Sequence, residues 1–131
     1  MNPKAVGERS EAKILSRMID KGWPVLLPFG DNQRYDFVAE FAGGFQRIQC
    51  KTGRVKAGVI LASTSSTAYH RGGKRRSYRG SIDYFAIYVP KLDNCYLVPV
   101  NQAPTAELSL RLQPTKNGQR NKIRLAADFE L

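Results

Sequence analysis

Asp36, Gln49 and Lys51 are where this 131-residue chain most invites chemistry. Asp36 lies in Gln33-Arg34-Tyr35-Asp36-Phe37-Val38-Ala39, and the other two in Phe45-Gln46-Arg47-Ile48-Gln49-Cys50-Lys51-Thr52. Both stretches are rich in β-branched, aromatic and apolar residues, and Gly43-Gly44 between them can supply positive φ for a tight reversal. The pattern predicts a β-hairpin. Side chains alternate along a strand, so Gln49 and Lys51 share one face while Ile48 and Cys50 face the core. The polar pair is left beside Asp36 on the neighbouring strand. A carboxylate, an amide and an ammonium are thus expected on one patch of sheet.

The elements around the hairpin must hold that patch in place. Residues 5–21 read as an amphipathic helix, with Val6, Ile14, Leu15, Met18 and Ile19 at helical spacing and Gly22 placed as a C-terminal cap. Glu8 and Glu11 sit three apart near its start. Trp23 to Phe29 is a short apolar strand whose two prolines suit a sheet edge, and Gly30-Asp31-Asn32 is a turn. Gly58 to Ala62 predicts a third strand. Ser63 to Ser81 reads as a long basic loop. Asp83 to Val89 and Cys95 to Val100 predict a second hairpin around Pro90 to Asn94. Leu108 to Leu112 alternates as a strand, Lys116 to Lys122 is a basic loop, and Ile123 to Leu131 suits a helical turn. The expectation is one α/β domain over residues 1–131.

Composition narrows the partners. A hydrophobic fraction of 42% excludes a disordered chain. No apolar run reaches the length of a membrane span, and no stretch has a signal-peptide layout, so no membrane partner is expected. Cys50 and Cys95 read as reduced, buried residues of a cytoplasmic protein. The single His70 removes most histidine chemistry. Against 11 Asp+Glu stand 21 Lys+Arg, a formal net charge of +10 with a pI near 10.0. Phe41 to Ile82 contains no acid, yet it holds Arg47, Lys51, Arg54, Lys56, Arg71, Lys74, Arg75, Arg76 and Arg79. A second acid-free stretch carries Arg111, Lys116, Arg120, Lys122 and Arg124. Such a surface attracts a polyanion, and nucleic acid is the commonest.

Set beside the helix, the hairpin residues form a recognisable group. Glu11, Asp36, Gln49 and Lys51 resemble the PD-(D/E)XK nuclease motif, with Gln49-Cys50-Lys51 where that family has Asp/Glu-x-Lys. The helix glutamate and the aspartate opening the hairpin match the layout of archaeal Holliday junction resolvases. Ser10-Glu11, Tyr35-Asp36, Ile48-Gln49-Cys50-Lys51-Thr52 and Ile82-Asp83-Tyr84-Phe85-Ala86-Ile87-Tyr88 resemble something narrower. They look like the PD-(D/E)XK homing endonucleases of bacterial group I introns, where Gln also replaces the second acid. The likeness is dense over residues 7–52 and 78–100.

This resemblance implies a restriction-endonuclease-like core, a mixed β-sheet flanked by an N-terminal helix. It implies a site-specific endonuclease for double-stranded DNA, bacterial or phage-like and intracellular, using Mg²⁺ or Mn²⁺. Phosphodiester hydrolysis gains from a metal that holds the phosphate and lowers the pKa of the attacking water. Asp36 then serves as a hard anionic ligand, Gln49 as a weaker neutral one, and the Cys50 backbone carbonyl as another. Lys51 orients water or neutralises phosphate charge. Glu11 adds negative charge from the helix; Glu8 competes for that place, but Glu11 follows Ser10 as in the family pattern. Gln49 in place of an acid lowers the charge of the site and so weakens metal binding.

DNA contacts are expected from Arg71, Lys74, Arg75, Arg76, Tyr78, Arg79, Lys116, Arg120 and Lys122. Basic side chains give affinity and salt dependence, while arginines and amides in the major groove read bases. Tyr78 can alternatively pack, and Asp83 can cap or pair an arginine. One such site cuts one strand, so a double-strand break calls for a homodimer or homotetramer. Three other readings stay open at this point: a structure-selective junction resolvase, a restriction enzyme, and a DNA-binding module in which Gln49 marks a decayed site. Taken singly, Asp36 is an ordinary strand-end residue and Lys51 an ordinary solvated cation.

Overall fold

A computed structural model of the chain describes residues 1–66, 76–114 and 123–131. Asn2 starts the first helix, its Oδ1 accepting the Ala5 N–H at 2.8 Å, and Pro3 sits where a missing N–H costs nothing. Helix α1 runs over Pro3–Asp20 and stops before Gly22, whose φ is +79°. Its buried stripe is Ser10, Ile14 and Met18, one residue per turn. Ile19, expected on the apolar face, is 59% exposed. A four-residue repeat points the stripe at the sheet and leaves the flanking position in solvent.

The strands are β1 (Val25–Leu26), β2 (Phe37–Phe41), β3 (Gly44–Thr52), β4 (Arg54–Lys56), β5 (Val59–Ser63), β6 (Ser65–Ser66), β7 (Arg76–Ser77), β8 (Tyr84–Val89), β9 (Asn94–Pro99) and β10 (Glu107–Arg111). A five-stranded sheet has the order β1-β2-β3-β8-β9, with β1 on the edge as its prolines suggested. All its pairings are antiparallel except β3 with β8, which is parallel. The sheet is therefore mixed. The predicted third strand is half of a further hairpin that the sequence did not signal: β5 pairs with β4 and β10 in a separate three-stranded sheet. A short β6–β7 pair flanks the basic segment. Residues 126–129, within the expected helical turn, form a 3-10 turn.

The reversal between β2 and β3 is displaced by one residue from the expected Gly43-Gly44. Ala42 and Gly43 are its central pair, with φ of +52° and +81°, and Gly44 already belongs to β3. Two positive φ values suit a type I′ turn, which matches the right-handed twist of the strands.

Alternation along the strands builds two cores. Phe37, Ala39, Ile48, Ala86, Tyr88 and Cys95 pack with Ile14 and Met18 of α1. Phe85, Ile87, Val89 and Val98 face the other way, toward Ile60, Ala62, Leu108 and Leu110 of the three-stranded sheet. The chain thus stacks helix, mixed sheet and small sheet in three layers. Of β3 only Ile48 is fully buried, and the patch that carries Gln49 and Lys51 is half-buried.

Candidate active site

Strand β3 is the spine of the site. Its register with β2 pairs Phe37 with Ile48, and the Asp36 N–H donates to the Ile48 carbonyl at 2.8 Å. Asp36 consequently lies at the mouth of the hairpin beside Gln49 and Cys50. One of its carboxylate oxygens, Oδ2, accepts the Cys50 N–H at 2.7 Å, which fixes the group with a charge-assisted bond. Burial pushes the Asp36 carboxyl above its ordinary value, opposed by the Cys50 bond and the Lys51 charge.

Glu11 reaches the same place from the helix. Its carboxyl is also raised, first by burial, then by the charge of Asp36, then by Glu8. Glu11 and Asp36 together line a cleft of about 360 Å³ with Leu27, Pro28, Gly30, Asp31, Gln33 and Tyr35. Glu8 is not among the lining residues, so geometry favours Glu11. Asp31, read from sequence only as turn chemistry, adds a further carboxylate to the cleft wall.

Ser10, directly before Glu11, is 1% exposed, and its hydroxyl lies 2.5 Å from that of Thr52, directly after Lys51. No periodicity argument could have found this link. The Cys50 thiol is pushed well above its ordinary value by burial and then by Asp36 and Glu11, which disfavours the thiolate.

Lys51 points away from the helix. Its Nζ lies 4.8 Å from the centroid of the Tyr78 ring and donates to the Tyr78 hydroxyl at 3.4 Å. Gln49 Nε2 makes a long bond, 3.4 Å, to the Cys50 carbonyl. Neither Gln49 nor Lys51 lines the cleft. The structure therefore brings Glu11, Asp36 and Cys50 together, with Lys51 near enough to act on Asp36 by charge and Gln49 alongside.

Of the two roles open to Tyr78, a DNA contact or packing, the structure shows packing. Its side chain is 6% exposed, sits edge-on to Phe85 at 5.4 Å, and has its hydroxyl committed to Lys51. Arg79 is exposed, and its guanidinium donates to the Ala103 carbonyl at 3.3 Å. Arg71, Lys74, Arg75, Lys116, Arg120 and Lys122 lie outside the described residues, as does the side chain of Arg76. Asp83 pairs an arginine: Oδ2 accepts the Arg47 N–H at 2.7 Å and Nε at 3.1 Å, and Oδ1 accepts Nη2 at 3.2 Å. Those bonds hold it below the usual carboxylate range. Asp83 thus locks β3 to the start of β8. Cys50 and Cys95 are free thiols, Cys95 fully buried.

A mixed sheet backed by an N-terminal helix, with Glu11 and Asp36 converging at the mouth of a hairpin ending in Gln49-Cys50-Lys51, is the frame of a nuclease. The chain belongs to the PD-(D/E)XK endonuclease family, which it matches over residues 1–131. Among solved structures it is similar to a bacterial homing endonuclease, I-Ssp6803I, with 26% sequence identity and a TM-score of 0.76 over 99% of this chain and 89% of that one. It also matches Hjc of Archaeoglobus fulgidus, a Holliday junction resolvase, with 18% identity and a TM-score of 0.47 over 80% of this chain and 83% of that one. That second likeness is too slight to carry an argument. No curated protein matches the sequence.

Proposed function

We propose that this nuclease is a metal-dependent, site-specific double-strand DNA endonuclease of the intron homing type. The observation that carries the chemistry is the Glu11–Asp36 pair, two partly desolvated carboxylates lining one open cleft, with the Asp36 charge adding to burial in raising Glu11. Like charges held this way fit a hard divalent cation such as Mg²⁺ or Mn²⁺. Among the described residues no three His, Cys, Asp or Glu side chains gather into a metal cluster. A cation would thus rest on Glu11 and Asp36, with the Gln49 amide oxygen and the Cys50 carbonyl as neutral donors.

When bound, the ion supplies Lewis-acid polarisation of a phosphate and a more acidic water. The chain does the rest. Asp36, pinned by the Cys50 N–H, holds a fixed negative oxygen at the cleft. Glu11 adds a second charge from a different element. Lys51 offers an ammonium to the charge that develops on the phosphate oxygens, a stabilisation that grows in a site shielded from water. The basic balance of the chain supports DNA as the substrate. Similarity to a homing endonuclease over nearly the whole chain supports the site-specific reading. Cutting both strands calls for paired copies, a homodimer or homotetramer.

The test is Mg²⁺-dependent cleavage of a mixed pool of linear duplexes and synthetic four-way junctions, with Asp36→Asn and Lys51→Ala proteins alongside. Discrete cuts in a minority of duplexes, lost in both variants with binding retained, are expected. Cuts confined to junctions would move the protein to the resolvases. A variant that cuts at the parent rate would remove its residue from the site.

A further inference from the structure

Tyr78 carries more than its burial explains. Two cations from the two arms of the site hairpin lie against its ring: the Arg34 guanidinium at 4.1 Å and the Lys51 ammonium at 4.8 Å from the centroid. Arg34 stands two residues before Asp36, and Lys51 two residues after Gln49. The Arg34 guanidinium also donates to the Ser77 carbonyl at 2.6 Å and the Ser81 hydroxyl at 3.2 Å, so it ties the backbone before Tyr78 to a side chain after it. The ring is held in turn by Phe85 of β8, edge-on with planes 84° apart. A buried aromatic face attracts a cation more strongly than an exposed one, because less water competes for the charge. A lysine side chain has four rotatable bonds and, left in solvent, samples many positions. Here the ring and its hydroxyl select one.

We propose that Tyr78 is a positioning residue for Lys51, holding the ammonium at a fixed place through its ring and hydroxyl. The inference rests on the site reading above, in which Lys51 serves the phosphate. Tyr78 touches no reacting atom; it restricts where the ammonium stands. An unrestrained Lys51 would spend most of its time displaced from the phosphate, and a displacement of about 1 Å is enough to cost on the order of a hundredfold in rate.

Two readouts test it, one independent of activity. The first is the resonance of isotope-labelled lysine ε-methylene, assigned to Lys51 by its loss in Lys51→Arg. Held beside the ring, it is displaced from the ordinary lysine position in the parent and in Tyr78→Phe, and returns to that position in Tyr78→Met. The second is single-turnover cleavage of duplexes that the parent cuts, with DNA affinity measured separately. Tyr78→Met is expected to lose about a hundredfold in rate with affinity within about twofold, and Tyr78→Phe, which keeps the ring, to lose much less.

An unshifted Lys51 resonance in the parent overturns the proposal, and that measurement does not depend on any variant folding. Parent-rate cleavage by Tyr78→Met also overturns it, when Lys51→Ala fails to cut. Parent-rate cleavage by Lys51→Ala is a different result: it removes Lys51 from the site reading and this proposal with it.

Discussion

The hydroxyls of Ser10 and Thr52 meet at 2.5 Å across 42 residues of sequence. Each is the immediate neighbour of a site residue, Ser10 of Glu11 and Thr52 of Lys51. The contact ties the helix to the end of β3 and fixes the height at which Glu11 stands over the hairpin. Deleting one hydroxyl leaves the other without its partner, which costs about 1–3 kcal/mol for a buried group. Urea unfolding of Ser10→Ala and Thr52→Val should show such a loss in each. The double variant should lose less than the two single losses added together, because neither orphan remains. Simple additivity would mean the hydroxyls do not depend on one another.

Asp36 should be a residue whose charge weakens the fold. Its carboxyl is raised by burial, so its favourable contribution is present below the ordinary value of 3.8 and lost as pH rises through the raised value. Near neutrality the charged form is the strained one. With chelator present, Asp36→Asn should raise stability by about 0.5–2 kcal/mol, since an amide oxygen can still accept the Cys50 N–H. Added Mg²⁺ should then raise the Tm of the parent more than that of the variant. A variant less stable than the parent in chelator would show that the Cys50 bond to a full charge outweighs desolvation.

Asp83 should respond to pH in the opposite sense. Arg47 lowers its carboxyl below the ordinary 3.8, so the pairing contributes fully above that value and fades as pH falls through the lowered one. Both side chains are about a third exposed, which limits the effect to about 0.5–1 kcal/mol. Asp83→Asn should therefore cost stability at pH 7 and almost none in strong acid, as read from urea midpoints across pH. Equal losses at both ends would assign the effect to packing instead.

Two tight turns carry alanine where the backbone asks for something else. Ala42 and Ala57 both have φ of +52°, each followed by a positive-φ glycine. A left-handed alanine costs roughly 1–2 kcal/mol, and both positions are exposed. Ala42→Asn and Ala57→Asn should each raise the Tm without touching cleavage, because Asn-Gly is a favoured type I′ pair. An unchanged Tm in both would mean the turns relax at no cost.

Local chemistry was legible in the sequence, and long-range placement was not. The helix over residues 5–21 with its Gly22 stop, the two hairpins and the proline-marked edge strand each follow from residues adjacent in the chain, whereas the Asn2 cap that starts the helix two residues earlier was not read. Glu11 and Asp36 could be paired only through the resemblance to the PD-(D/E)XK motif, since no local pattern links the helix to the hairpin. The hairpin register slipped by one residue because Ala42 accepts a backbone angle that composition assigns to glycine. Nothing near Gly58 to Ala62 announces a separate three-stranded sheet, since its β10 partner lies more than forty residues on. Tyr78 stayed open between a DNA contact and packing for a related reason: among arginines it looks like part of a DNA-facing loop, and only the fold turns it inward onto Lys51.

The parallel pairing of β3 with β8 also sets how the molecule comes into being. Each hairpin, β2–β3 and β8–β9, closes over a short stretch of chain, which is fast. Joining them side by side must wait for the 31 residues between Thr52 and Tyr84 to loop round, an entropic cost that slows folding. Asp36, Gln49, Cys50 and Lys51 share one early hairpin, while Tyr78 arrives with the crossover and Glu11 with the docking of α1. An incomplete chain, or one caught before closure, therefore holds the lysine and the aspartate without the groups that position and complete them. On the proposed reading of the site, the cutting group is complete only in the finished fold.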